Sequence, residues 1–184
     1  MKGALTLLLL LCTLSVWSQD IRRVNRSRID FLSTAPMETI AATNTAATGI
    51  FDVELRTFAI QVPVQAFMGF NSPLQREHFN ENYLESTRFP YITFQGRLIE
   101  STDLSKAGTY RVRAKGDLVV HGVLRERIIE CALIVSKDGI RVTSTFMVKL
   151  ADHSIRIPRV VHQKIAEDVQ VKLDMLIGPK STRP

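Results

Sequence analysis

Apolar and polar residues alternate along most of this chain. Between Gly108 and Val120, one face carries Tyr110, Val112, Ala114, Gly116, Leu118 and Val120, and the other Arg111, Arg113, Lys115 and Asp117. Period-two alternation over that length predicts a half-buried antiparallel strand. Val142, Ser144, Phe146, Val148 and Leu150 repeat the pattern against Arg141, Thr143, Thr145, Met147 and Lys149. Val169, Val171, Leu173, Met175 and Ile177 form a further face, as do Phe58, Ile60 and Val62, and Ile92, Phe94, Gly96 and Leu98. Turn signals separate the runs: Lys106-Ala107-Gly108, His121-Gly122 and Lys137-Asp138-Gly139. Short helices are expected over residues 36–42, 74–84 and 159–167. No internal repeat, linker or low-complexity tract interrupts the series.

About eight strands with few helices predict an all-β barrel or sandwich. Strands of roughly 10–13 residues suit a tall closed sheet, which also removes exposed edges. A barrel of about eight strands is either filled by its own side chains or holds one small ligand. Alternation leaves both open, although the small inward residues Gly96, Ala114 and Gly116 favour a hollow one.

Composition narrows the class. The 184 residues are 45% apolar and 23% charged, with nine Gly and seven Pro, which excludes collagen, disorder and disulfide-rich miniproteins. One domain is expected, residues 19–184. Residues 1–18 read as a cleavable signal peptide: Lys2 precedes an apolar run over residues 4–16, and Val16-Trp17-Ser18 places cleavage between Ser18 and Gln19. The expected location is the periplasm. Cleavage removes Cys12 and leaves Cys131 alone, so no intramolecular disulfide can form. Cys131 shares an apolar face with Ile129, Leu133 and Val135 and is expected to be a small buried hydrophobe.

No enzyme is expected. The chain lacks a Gly-rich phosphate loop, H-E-x-x-H and G-x-S-x-G. His78, His121, His153 and His162 are isolated in sequence, and only His78 and Glu81 are close enough to share a helix, too few for zinc. No metal or cofactor is expected. His121, at a strand end, reads as a turn residue bonded to backbone. The net charge of +6 is modest. Arg111, Arg113, Lys115, Arg125 and Arg127 are expected on outward positions, forming either a solvated exterior or a face that docks on an anionic membrane surface. Nucleic acid is not an expected partner, because exposed aromatics do not interleave with these cations.

The segment HFNENYLESTRFPYITFQG (residues 78–96) resembles the YceI-like family of bacterial periplasmic proteins. FMGF (67–70), GDLVVHGV (116–123) and SIRIP (154–158) follow the family order, and the likeness runs over residues 27–177. The opening stretch FLSTAPMETIAATNTAATGIF (31–51) resembles the Bacteroidota-type branch. The resemblance implies an extended eight-stranded antiparallel lipocalin-like barrel, non-enzymatic, with an interior that binds an isoprenoid or other lipid chain. The expected lining begins with Phe31, Phe58, Ile60, Phe70, Phe79 and Tyr83. It continues through Phe94, Leu98, Val112, Leu118 and Val120 to Phe146, Val148, Val171 and Leu173. A packed interaction module acting through the basic face is the competing reading, and a homodimer is compatible with either.

Overall fold

The computed structural model describes residues 20–179, so the expected signal peptide lies outside the described residues. The alternating runs become antiparallel strands: β1 (Ile21–Thr34), β2 (Thr39–Asn44), β3 (Thr48–Asp52), β4 (Thr57–Pro63) and β5 (Tyr91–Leu98), then β6 (Gly108–Val120), β7 (Val123–Ser136), β8 (Gly139–Lys149) and β9 (Asp168–Ile177). From β3 onward each strand pairs with the next, and β1 closes the ring by pairing with both β9 and β3. The result is an eight-stranded closed barrel with β2 as an extra strand. Closure leaves few free edges, as the long strands required.

β2 and β3 follow one register along β1: Thr34 faces Thr39, Ile29 faces Asn44, and Ile21 faces Asp52. They act as one strand interrupted at residues 45–47. Side chains fill the break. Buried Asn44 donates from Nδ2 to the Pro63 carbonyl at 2.8 Å and accepts from the Ala46 N–H at 2.9 Å, while the Ser27 hydroxyl donates to the Ala47 carbonyl. The expected helix over 36–42 is therefore a correction: its alanines lie largely in β2, where pairing with β1 overrides local propensity.

β1 changes phase at a bulge between Val24 and Arg26. Below it Arg22 and Val24 turn inward; above it Ser27, Ile29, Phe31 and Ser33 do, because one extra residue exchanges the two faces. Arg22 is satisfied by a two-bond ion pair with Asp20, at 3.0 and 2.7 Å.

The connections divide between two ends. The upper end carries the β1–β2 turn, residues 64–90, the β6–β7 turn and residues 150–167; the remaining turns form the lower end. The helix expected over 74–84 appears as α1 (Pro73–His78), continued by a wider turn, Phe79–Tyr83. Ser72 caps α1 by accepting from the Gln75 N–H, and Pro73 follows at the first helical position. The helix expected over 159–167 is only the turn Arg159–Val161. That segment is instead a strap: Ser33 Oγ accepts from the Ala166 N–H, and the Met37 N–H donates to the Gln163 carbonyl.

One junction is incomplete. β6 pairs with β7 from Gly108 opposite Val135 to Val120 opposite Val123, and β8 pairs with β9 over its length. The β7–β8 ladder covers only Ala132–Ser136 against Gly139–Thr143, so above it the two strands fork. This corrects the expected outward placing of Arg125 and Arg127. They stand opposite Leu118 and Gly116, on the inward phase, but the fork leaves them beside an open seam.

Candidate functional site

The inward faces enclose an apolar cavity of about 510 Å³. That volume lies within the roughly 300–1,000 Å³ of small-molecule sites, so the barrel is hollow. Eight of the nine phenylalanines border it, Phe89 being the exception. Phe31, Phe67, Phe70 and Phe79 form a cage near the upper end with ring centres 5.0–5.8 Å apart. Phe58 and Phe94 pair at 4.9 Å. The walls below are Leu98, Ala114, Leu133, Ile140 and Ile177. Leu104, Val112 and Val135 pack with these as core at the lower end.

Fourteen of the fifteen expected residues border this cavity: Phe31, Phe58, Ile60, Phe70, Phe79, Tyr83, Phe94, Leu98, Leu118, Val120, Phe146, Val148, Val171 and Leu173. Val112 does not; it is core packed against Leu133 and Ile140 and borders an outer cleft. Burial raises the Tyr83 hydroxyl above the ordinary tyrosine range, so it remains a neutral donor. Of the small residues, only Ala114 faces the void. Gly96 and Gly116 oppose each other where β5 and β6 approach, and neither borders the cavity.

The cavity opens at the upper end, where its exposed lining residues Ser72, Leu74, His78 and Lys164 gather. Gln75 Nε2 donates to Glu38 Oε1 across this rim at 2.8 Å. Sequence alternation misses the rim because it belongs to irregular connections without a period. A long apolar pocket whose charged and amide groups lie at its mouth, with only Ser144 and Cys131 adding polar atoms lower in the wall, suits a molecule with an extended apolar body and one polar end.

The YceI-like domain family matches residues 20–176. The chain belongs to this family. Solved structures show the same fold at low identity. A polyisoprenoid-binding domain from Saccharophagus degradans, implicated in plant cell wall breakdown, is 13% identical with a TM-score of 0.74, over 88% of this chain and 99% of that one. BcnA of Burkholderia cenocepacia is 12% identical with a TM-score of 0.66, over 81% and 94%. The Campylobacter jejuni YCEI protein is 13% identical with a TM-score of 0.56, over 74% and 81%. No match is found among curated proteins.

Two histidines brace the upper end of this YceI-like barrel. His121 occupies the β6–β7 turn at φ 51°, followed by Gly122 at φ 71°, the pair of positive angles a two-residue hairpin needs. Its Nε2 meets Glu85 Oε2 at 2.6 Å, its Nδ1 meets the His153 carbonyl, and Phe89 packs edge-on against the ring. None of these three borders the cavity, in keeping with a turn residue. His153 ends the turn Leu150–His153, is fully buried, and places Nδ1 3.0 Å from the Val123 carbonyl. Nδ1 therefore carries the proton, and Nε2 has no partner.

Burial lowers the His153 pKa, the Arg125 and Arg127 charges press the same way, and the Val123 bond and Asp152 oppose them. An unfolded histidine takes up a proton near its ordinary pKa, where the buried ring refuses one. Stability is therefore highest above the ordinary histidine range and is lost as pH falls through it. The slope approaches about 1.4 kcal/mol per pH unit where only the unfolded state is protonated. Urea titrations between pH 8 and pH 5 should show this component in the wild type and not in His153→Gln. Equal slopes in the two proteins would remove His153 as its source.

The basic face is less available than sequence implies. Arg113 is bound to Glu100 through both its Nε and its backbone N–H, and Lys115 Nζ meets Glu126 at 3.1 Å.

Proposed function

We propose that this YceI-like protein is a periplasmic carrier whose ligand is an isoprenoid or similar long-chain lipid, with its chain in the cavity and its polar end at the rim. The chain's place in the Bacteroidota-type branch, drawn from residues 31–51, belongs to the same proposal. One observation carries the reading: a continuous apolar void runs from the Phe31–Phe79 cage to Ile140 and Ile177, and its charged and exposed lining groups cluster at one mouth. The Saccharophagus degradans domain, described as polyisoprenoid-binding, shares the fold and supports it.

The energetics suffice without catalysis. Burying about ten methylene equivalents contributes roughly 8 kcal/mol before ordering costs, in the range of micromolar binding. Gln75, His78 and Lys164 at the mouth supply donors for a hydroxyl or an anionic head.

The test is mass spectrometry of an organic extract of gently purified protein, with uptake of tritiated geranylgeraniol from phosphatidylcholine vesicles by the delipidated form. The expected result is one class of long-chain lipid and a load that saturates at one per barrel. Protein that carries no lipid and takes up none refutes the reading.

A further inference from the structure

The mouth is not the only thin place in the barrel wall. Above Ala132 and Thr143, no backbone ladder joins β7 to β8 among the described residues. Side chains bridge the seam instead. Ser144 Oγ donates to the Glu130 carbonyl at 2.6 Å, and an Arg127 terminal nitrogen donates to the Met147 carbonyl at 2.8 Å. Higher up, the turn Leu150–His153 wedges the fork through the bond of His153 to the Val123 carbonyl.

Outside the fork lies a cleft whose walls are outward residues of five strands, among them Arg111, Glu130, Thr145 and Lys172. Its floor belongs to the inward phase: Val112, Cys131, Ser144 and Leu173. Three of those four, Cys131, Ser144 and Leu173, also border the inner cavity. At the base of the fork, cavity and exterior are thus separated by a single layer of side chains. Continuing the register upward from Ala132 and Thr143 sets Ile128 across from Met147, and these lips are 54% and 45% exposed. Apolar lips, a one-residue wall and two side-chain latches describe a passage rather than a sealed sheet.

We propose that the β7–β8 fork is a lateral portal through which the apolar chain of the ligand enters and leaves the cavity, latched by Ser144–Glu130 and Arg127–Met147. The proposal rests on the lipid-carrier reading. End-on entry must thread the whole chain past a rim tied by Gln75–Glu38, Met37–Gln163 and Ser33–Ala166. Through the fork, a chain whose polar end stays at the rim can be laid in along its length. Opening between the ladder and the His153 wedge then breaks two side-chain bonds, whereas opening elsewhere breaks a strand ladder.

The test staples the seam. Glu130 and Thr145 border the outer cleft, not the cavity, and the extended register sets them opposite each other two residues above the ladder. Glu130→Cys with Thr145→Cys, in a Cys131→Ser background, is joined by a short bifunctional thiol reagent. Uptake of tritiated geranylgeraniol from phosphatidylcholine vesicles is compared before and after joining. The joined form should load about tenfold more slowly or worse and reach the same final load, since two latch bonds set barriers of this order.

Arg127→Ala makes the converse test. Losing one latch should speed uptake by roughly two- to tenfold and accelerate N-ethylmaleimide labelling of native Cys131 by a similar factor. A joined protein that keeps pace with the unjoined one overturns the portal, as does an Arg127→Ala variant unchanged in both rates. If wild-type protein takes up no geranylgeraniol, the carrier reading falls and the portal with it; if only the staple is without effect, the portal alone falls.

Discussion

Gly116→Val should prevent the barrel from closing, at a cost of roughly 3 kcal/mol or more. Gly116 and Gly96 face each other across β6 and β5. A Cβ on Gly116 would stand 2.8 Å from the Gln95 carbonyl carbon and 2.9 Å from the Gly96 Cα. These are backbone atoms held by the ladder, so no rotamer change makes room. The reason is close strand approach, not an unusual dihedral, and Phe58 of β4, opposite Gly96, stands where it can cover the side-chain-free strip. Ala114→Val, two residues away on the same face, makes the control. Ala114 borders the void, so added methyls enter empty space at a cost below about 1.5 kcal/mol. Urea melts of both variants decide it: a Gly116→Val protein as stable as Ala114→Val would mean the two strands can separate freely.

That pair of glycines also shows what the sequence could and could not convey. Alternation put Gly96 and Gly116 on the inward face correctly, but inward is not the same as bordering a void; only the distance between strands distinguishes them. β5, β6, β8 and β9 were legible because each keeps one phase and one buried face. β1 was not, because its bulge exchanges the faces midway and brings Arg22 inward, so its fourteen residues show no single period. β2 was masked by alanines that suit a helix until Phe31 and Leu32 pair with them. Phe51 and Phe67, both bordering the cavity, lie in a strand and a turn too short to establish a pattern. Arg125 and Arg127 show the same limit from the other side. Their charge implied an outward position, yet register places them inward at a fork, and forks arise from the pairing of distant strands.

The cavity itself yields the sharpest functional prediction. Leu118→Trp should abolish co-purifying lipid and leave the delipidated protein's melting close to that of the wild type. Leu118 is 5% exposed, and on one side it packs with Val64, Leu84, Val120, Val148 and Ile155. On the other it borders the void, near the upper end of the inward face of β6. An indole directed into that space occupies volume a chain would need, beside Phe79 of the cage and above the Ile140 floor. In a filled core the same change would overpack, costing roughly 1–3 kcal/mol. A 510 Å³ void removes most of that penalty, so stability and ligand load separate. The comparison requires delipidated samples, because bound ligand stabilises the folded wild type by mass action. Tritiated geranylgeraniol then reads the load: the variant should retain a few per cent of wild-type binding or less, since shutting at least half the chain out of the lower cavity forfeits about 4 kcal/mol or more, roughly a thousandfold in affinity. A variant that melts normally and still binds with wild-type affinity would place the chain outside this cavity. A variant that melts far below the wild type would show that the void closes in solution.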